Sequence, residues 1–276
     1  MPATHPIGVF DSGVGGLSVL RALRAELPHE RFIYLADNGF APYGERGDAF
    51  VAARTHAIAE HLLRAHGIKA LVVACNTATA AAIHELRASY PALPLVGVEP
   101  ALKPAVAASR TKRIGVMATR GTVASAKFAR LRASLESEAE FTVQPCDGLA
   151  HAIERATVDA AAAQEVQALC ARYITALEPG MDTLVLGCTH YVFAEDTLRA
   201  LAGPHVQLLE TGQPVARQTR RLLQAAGLLA PESQAGEATL LTTGDLPLLQ
   251  QAAARWLQLP ADRCGTVTVP MPAATV

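Results

Sequence analysis

Two cysteines stand where an active site is readily built. Cys75 follows Leu71-Val72-Val73-Ala74 and precedes Asn76-Thr77-Ala78-Thr79, and Cys188 follows Leu184-Val185-Leu186-Gly187 and precedes Thr189-His190. Each apolar run reads as a short buried strand, and the polar residues after it favour a turn or a helix N-cap. A thiol at the carboxyl end of a strand lies where open α/β sheets bind their ligands. A helix N-terminus beside it would lower its pKa and favour the thiolate. Two opposed thiols suit removal of a proton from one face of a carbon and its return to the other, which is racemisation or epimerisation. A free thiol, ordinarily near ~8.5, needs only a modest downward shift to serve as a base at neutral pH. One thiol must start charged and the other neutral, with Asp11 and His190 as charged neighbours able to move or hold protons.

Other uses of paired thiols fit less well. A disulfide exchanger usually carries its cysteines as C-x-x-C. Cys75, Cys188 and His190 could offer three ligands to zinc, which usually takes a fourth. A Cys-His hydrolase leaves the second cysteine without work. Pyridoxal phosphate needs a Schiff-base lysine, and Lys69, Lys103, Lys112 and Lys127 all lie outside these motifs. A site without metal or cofactor is the simplest expectation. Cys146, Cys170 and Cys264 read as small buried hydrophobes.

Asp11-Ser12-Gly13-Val14-Gly15-Gly16 follows a strand pattern, and Asp37 ends the next one, so a dinucleotide site must be weighed. Ser18 stands where its third glycine belongs, and Asp11 would set a negative charge at the phosphate end of the helix. A turn that lets a small substrate approach the backbone fits better. Ser12, Asn76, Thr77, Thr119, Thr122 and Thr189 cluster at strand ends and could hold carboxylates. Each taken singly is equally well explained as a helix cap. Tyr43-Gly44 could close one wall.

Strand and helix patterns alternate along the chain, which predicts βαβ units and mainly parallel sheets. Strands are expected at 7–10, 32–36, 71–74 and 95–98, then at 114–117, 141–143, 184–187 and 206–209, with one more at 239–242. Helices are expected between them. Ile7-Gly8-Val9 recurs as Ile114-Gly115-Val116 at a spacing similar to that between the two cysteine stretches. This predicts a duplicated α/β unit whose two carboxyl-end surfaces face across a cleft. The expected domains are 1–98 plus 210–276, and 99–209.

Half of the 276 residues are hydrophobic and 18% are charged, which is globular composition with room for a real core. A formal net charge of −1 gives no reason to expect nucleic acid or a membrane surface as partner. No apolar run approaches the ~20 residues of a membrane span. The first residues lack the basic and apolar regions of an export signal, and five cysteines without framework spacing suit a reducing, cytoplasmic setting.

Asp11-Ser12-Gly13-Val14-Gly15-Gly16-Leu17, Pro42-Tyr43-Gly44-Glu45-Arg46, Ala74-Cys75-Asn76-Thr77-Ala78-Thr79 and Leu186-Gly187-Cys188-Thr189-His190-Tyr191 together resemble the glutamate racemase family, in that family's order. The resemblance implies cofactor-independent interconversion of L- and D-glutamate, the D-isomer being supplied for bacterial peptidoglycan. It also implies two pseudo-symmetric α/β domains, a site between them and a homodimer. By matching motif it implies Cys75 and Cys188 as the bases, assisted by Asp11 and His190. Asp11, Ser12, Tyr43, Gly44, Asn76, Thr77, Thr189 and His190 would contact substrate, Thr119 and Thr122 would form a further hydroxyl pair, and Glu154 would support the histidine. Asn38-Gly39-Phe40-Ala41 departs from a stretch normally closer to Thr-Ala-Arg-Phe, and Val192 stands where proline is common. A relative acting on aspartate, and a non-catalytic binder of the same fold, are the competing expectations.

Overall fold

The computed structural model describes residues 2–177 and 179–271, so the outermost ends of the expected first domain lie outside the described residues. The first series is β1 (Ile7–Asp11), α1 (Leu17–Glu26), β2 (Arg31–Ala36), α2 (Asp48–His66), β3 (Ala70–Val73), α3 (Asn76–Ser89) and β4 (Leu95–Gly97). The second is α4 (Leu102–Ala108), β5 (Arg113–Ala118), α5 (Arg120–Ala124), α6 (Ala126–Ala133), β6 (Glu140–Pro145), α7 (Leu149–Arg155), α8 (Ala162–Thr175), β7 (Thr183–Gly187), α9 (Glu195–Ala202) and β8 (Gln207–Leu209). The chain then adds α10 (Gly212–Ala225), β9 (Glu237–Thr242), α11 (Leu246–Leu257) and β10 (Cys264–Thr266). Strand β10 is absent from the sequence expectation. Its Cys264-Gly265-Thr266 is too short and polar to carry a strand pattern.

Two sheets result, ordered β10-β9-β2-β1-β3-β4 and β6-β5-β7-β8, with every pairing parallel. The class is α/β with two parallel sheets, and the duplication is visible in the pairing. Each sheet contains the order second-first-third-fourth. Ile7 pairs with Phe32 and Ile114 with Phe141; Val9 pairs with Val72 and Val116 with Val185. Parallel strands covered on both faces must be apolar throughout, and β1, β3 and β7 are buried at every residue.

Helices cover both faces of each sheet. On the first sheet, Leu20 and Leu23 of α1, Leu223 of α10 and Leu249 of α11 fill one side. Ile58 and Leu62 of α2 with Ile83 and Leu86 of α3 fill the other. The second sheet packs α7, α8 and α9 on one side, and Leu102 and Phe128 on the other. Each such side chain contributes about 1.5–3 kcal/mol on burial. Because all strands are parallel, β1, β3, β5 and β7 deliver their carboxyl ends to the same edges, which fixes where Asp11, Cys75, Thr119 and Cys188 emerge. Among the described residues, no helix is long and apolar enough to cross a membrane.

Candidate active site

The carboxyl ends of both sheets open onto one cavity, enclosing ≈ 670 Å³ of empty space with its mouth included. Asp11, Ser12, Tyr43, Gly44, Cys75, Asn76 and Thr77 line it from the first half, and Thr119, Glu154, Cys188, Thr189 and His190 from the second. All the expected site residues meet there except Thr122, which stands behind the wall and is joined to Thr119 by a hydroxyl pair at 3.0 Å. Thr119 in turn reaches Thr77 across the cleft, Oγ1 to Oγ1 at 3.0 Å.

Cys75 ends β3 and caps α3. Its Sγ accepts from the Ala78 N–H at 3.4 Å and lies 3.6 Å from Ser12 Oγ. The helix terminus expected to lower its pKa is present, yet the thiol is pushed up: burial dominates and the Asp11 charge adds to it, against the weaker pull of the Ala78 and Ser12 bonds. Asp11 is itself held up at about 6 by burial, opposed by His190 and by the Gly16 and Ser12 N–H groups. Its Oδ2 accepts from the Gly16 N–H and, at 3.4 Å, from Thr189 Oγ1.

Cys188 differs from the sequence expectation. The segment after it, Thr189–Ala194, is a 3₁₀ helix, and the Cys188 side chain makes no cap hydrogen bond. Its neighbour is instead His190, whose Nδ1 lies 3.8 Å from Sγ, while Nε2 lies 2.7 Å from Glu154 Oε2. Burial alone would lower the imidazole pKa. The bonds to Cys188 and Glu154, and their charges, override it and hold His190 well above its ordinary value.

The glycine-rich turn also makes room for side chains of the site itself. A Cβ on Gly13 would strike the Glu154 carboxylate, and one on Gly15 would strike the His190 ring. The glycines admit side chains from the other half of the molecule. Tyr34 Oη fixes the turn by donating to Gly13 O at 2.6 Å, and Ser18 Oγ reaches Thr189 O at 3.1 Å. Asp37, weighed as a ribose ligand, is buried against Arg54 at 2.7 and 2.8 Å and accepts from Tyr43 Oη at 2.6 Å. Tyr43 therefore offers the cavity its ring and backbone, with its hydroxyl committed elsewhere. Asn76 offers an amide buried without a hydrogen-bond partner among the described residues.

Among the described residues, no group of three or more His, Cys, Asp or Glu side chains is arranged to hold a metal ion. The wall also contains Arg120, Cys146, Asp147 and His151, which the sequence reading did not include. Cys146 follows β6 as Cys75 follows β3. The sequence marks it only as a small buried hydrophobe, and it is buried. Its place at a strand end is masked because β6 is half-exposed and extends past the apolar 141–143 segment. Arg120 pairs with Asp147 at the rim.

The sequence profile of the Asp/Glu/Hydantoin racemase family matches residues 17–219. The chain belongs to that family. Among relatives of this racemase family, the glutamate racemase of Cupriavidus pinatubonensis is 48% identical, the match covering 97% of each chain. A Bacillus anthracis glutamate racemase isoform superposes with a TM-score of 0.86 at 30% identity, over 97% of this chain and 99% of the other. A Francisella tularensis glutamate racemase in complex with D-glutamate gives a TM-score of 0.82 at 26% identity, over 97% and 98%. The racemase fold thus extends along nearly the whole chain.

Proposed function

We propose that this chain is a glutamate racemase that works by two-base proton transfer between Cys75 and Cys188. The observation that carries the mechanism is that two thiols from equivalent strand ends flank one cavity in opposite electrostatic settings. Burial and Asp11 keep Cys75 as the neutral acid. The His190 imidazolium, backed by Glu154, is the partner a Cys188 thiolate needs. Cys188 takes the α-proton from one face, the carbon passes through a planar carbanion, and Cys75 delivers its proton to the other face. For the opposite enantiomer the two roles exchange, with Asp11 receiving the Cys75 proton. Asn76, Thr77, Thr119 and Thr189, with Ser12, supply donors for the substrate carboxylates, and Thr122 steadies Thr119.

Glutamate as substrate is supported by the relatives' activity and by the complex of the Francisella protein with D-glutamate. The same reading takes 1–98 with 210–276, and 99–209, as the two domains, a homodimer as the assembly, and supply of D-glutamate for cytoplasmic peptidoglycan synthesis as the role. The test is cofactor-free protein with L-glutamate in D₂O, followed by circular dichroism and by the α-proton signal in NMR. Loss of optical activity together with α-deuteration, insensitive to chelator, is expected. No change with glutamate but racemisation of aspartate would overturn the substrate assignment, and no change with either would overturn the activity.

A further inference from the structure

Asn38 lies outside the cavity wall but is wired to it. It opens the 3₁₀ turn Asn38–Phe40 after β2. Its Nδ2 donates across the cleft to Glu154 Oε1, and its Oδ1 accepts from Thr242 Oγ1, at the end of β9, at 3.3 Å. The Glu154 carboxylate settles which way the amide faces, because the flipped amide would set its oxygen against another acceptor, and the Thr242 hydroxyl is free to donate to the remaining oxygen. The turn is clamped to the same strand end. Gly39 N donates to Thr243 Oγ1 at 3.2 Å, and a Cβ on Gly39 would come within 2.7 Å of Thr243 O. A continuous path therefore runs from β9 through Asn38, Glu154 and His190 to Cys188.

We propose that Asn38 is a positioning residue of the racemase site: by occupying Oε1 it locks the Glu154 carboxylate onto His190, and so maintains Cys188 as the reactive thiolate. The proposal rests on the two-base reading. With one oxygen free, the Glu154 side chain could rotate off the imidazole, and ordering it would then cost the histidine part of its support. A neutral amide holds the carboxylate without supplying a proton. His190 is faced by Cys188, Glu154 and Asp11. Glu154 is faced by Tyr34 and Asp11, and Cys188 by Cys75, Cys146 and Tyr191. Replacing Asn38 with another neutral residue adds no charge of its own to this set.

The test is site-resolved alkylation of the full chain by iodoacetamide at neutral pH, quantified by mass spectrometry at Cys188 and Cys75, beside racemisation assays. In Asn38→Leu the Cys188 rate is expected to fall about tenfold, the size of one lost hydrogen bond to a charged group. The Cys188 rate profile should move about one pH unit to the alkaline side, with Cys75 unchanged. Asn38→Gln keeps an amide donor and should recover more than half of the rate. Should Asn38→Leu fail to fold, Thr242→Val frees the same amide from behind and should slow Cys188 by a smaller factor. Wild-type Cys188 reactivity in a folded Asn38→Leu or Thr242→Val, equal slowing at both cysteines, or Asn38→Gln as slow as Asn38→Leu would each overturn the proposal. Free enantiomers have equal energies, so kcat/KM must fall equally in both directions, and any asymmetry appears only in kcat and KM separately. A wild type that racemises nothing defeats the functional reading but leaves the alkylation comparison intact, so the two failures are distinguishable.

Discussion

Cys75 and Cys188 end equivalent strands of equivalently ordered sheets, yet their surroundings differ in kind. Around Cys75 the contacts are a backbone N–H and a serine hydroxyl, and the nearest charge is a carboxylate. Around Cys188 there is no helix cap, and an imidazole backed by a carboxylate and an amide takes its place. Duplication thus reproduced where the thiols emerge but not what surrounds each. Two-base proton transfer works from the state with one thiol charged and one neutral. Identical settings would share that single proton equally between the two thiols, whereas unequal surroundings bias which one carries it.

The largest effect should come from removing either thiol. Cys75→Ala and Cys188→Ala are each expected to lose about 10³-fold or more in racemisation, followed by circular dichroism. Near-normal turnover by either variant would remove the second base and with it the comparison. A smaller effect separates the two sides. Asp11→Asn and His190→Asn should each lower kcat by about 10²-fold, and should skew the ratio of L-to-D over D-to-L kcat in opposite senses. A skew of the same sign in both would mean that the two groups serve one cysteine.

The smallest effect is thermodynamic. Asp11, at about 6 when folded against an ordinary 3.8, holds a proton that the unfolded chain releases between those values. The Asp11 contribution to stability is therefore fully present below about pH 4 and is lost as pH rises through 6, by about 3 kcal/mol. His190 is also raised, so its contribution has the same sign but a later window, present below its ordinary 6.5 and lost above it. Urea unfolding from pH 4 to 8 should show Asp11→Asn flattening only the acid part of the slope and His190→Asn only the neutral part. A stability rise from pH 4 to 6 that depends on Asp11 would reverse the assigned burial effect.

Much of this architecture was legible because parallel strands buried on both faces leave continuous apolar runs. Those runs identified β1, β3, β5 and β7 and the cysteines that end two of them. The strand β6 carries a weaker signal, since its Glu140 to Pro145 segment is only partly covered, and so Cys146 reads only as a buried hydrophobe and Asp147 and His151 near it go unread. Asn38 read as a loop residue because nothing within a few positions of it explains its role. Its partners lie 116 and 204 residues away. A hydroxyl one turn from Thr119 gives no sign in the sequence of which side faces the cavity, and Thr122 meets Thr119 rather than lining the cavity.

The sequence by itself determined the parallel α/β order, the duplication, and the pairing of Cys75 with Cys188, because these rest on local periodicity and on residues that follow strands directly. The tertiary structure decided the surroundings of each thiol. The expected helix terminus at Cys75 is outweighed by burial, and the one expected at Cys188 is replaced by His190. Solvation and pairwise charge depend on which distant groups are brought within a few ångströms, and no local pattern in the chain records that distance.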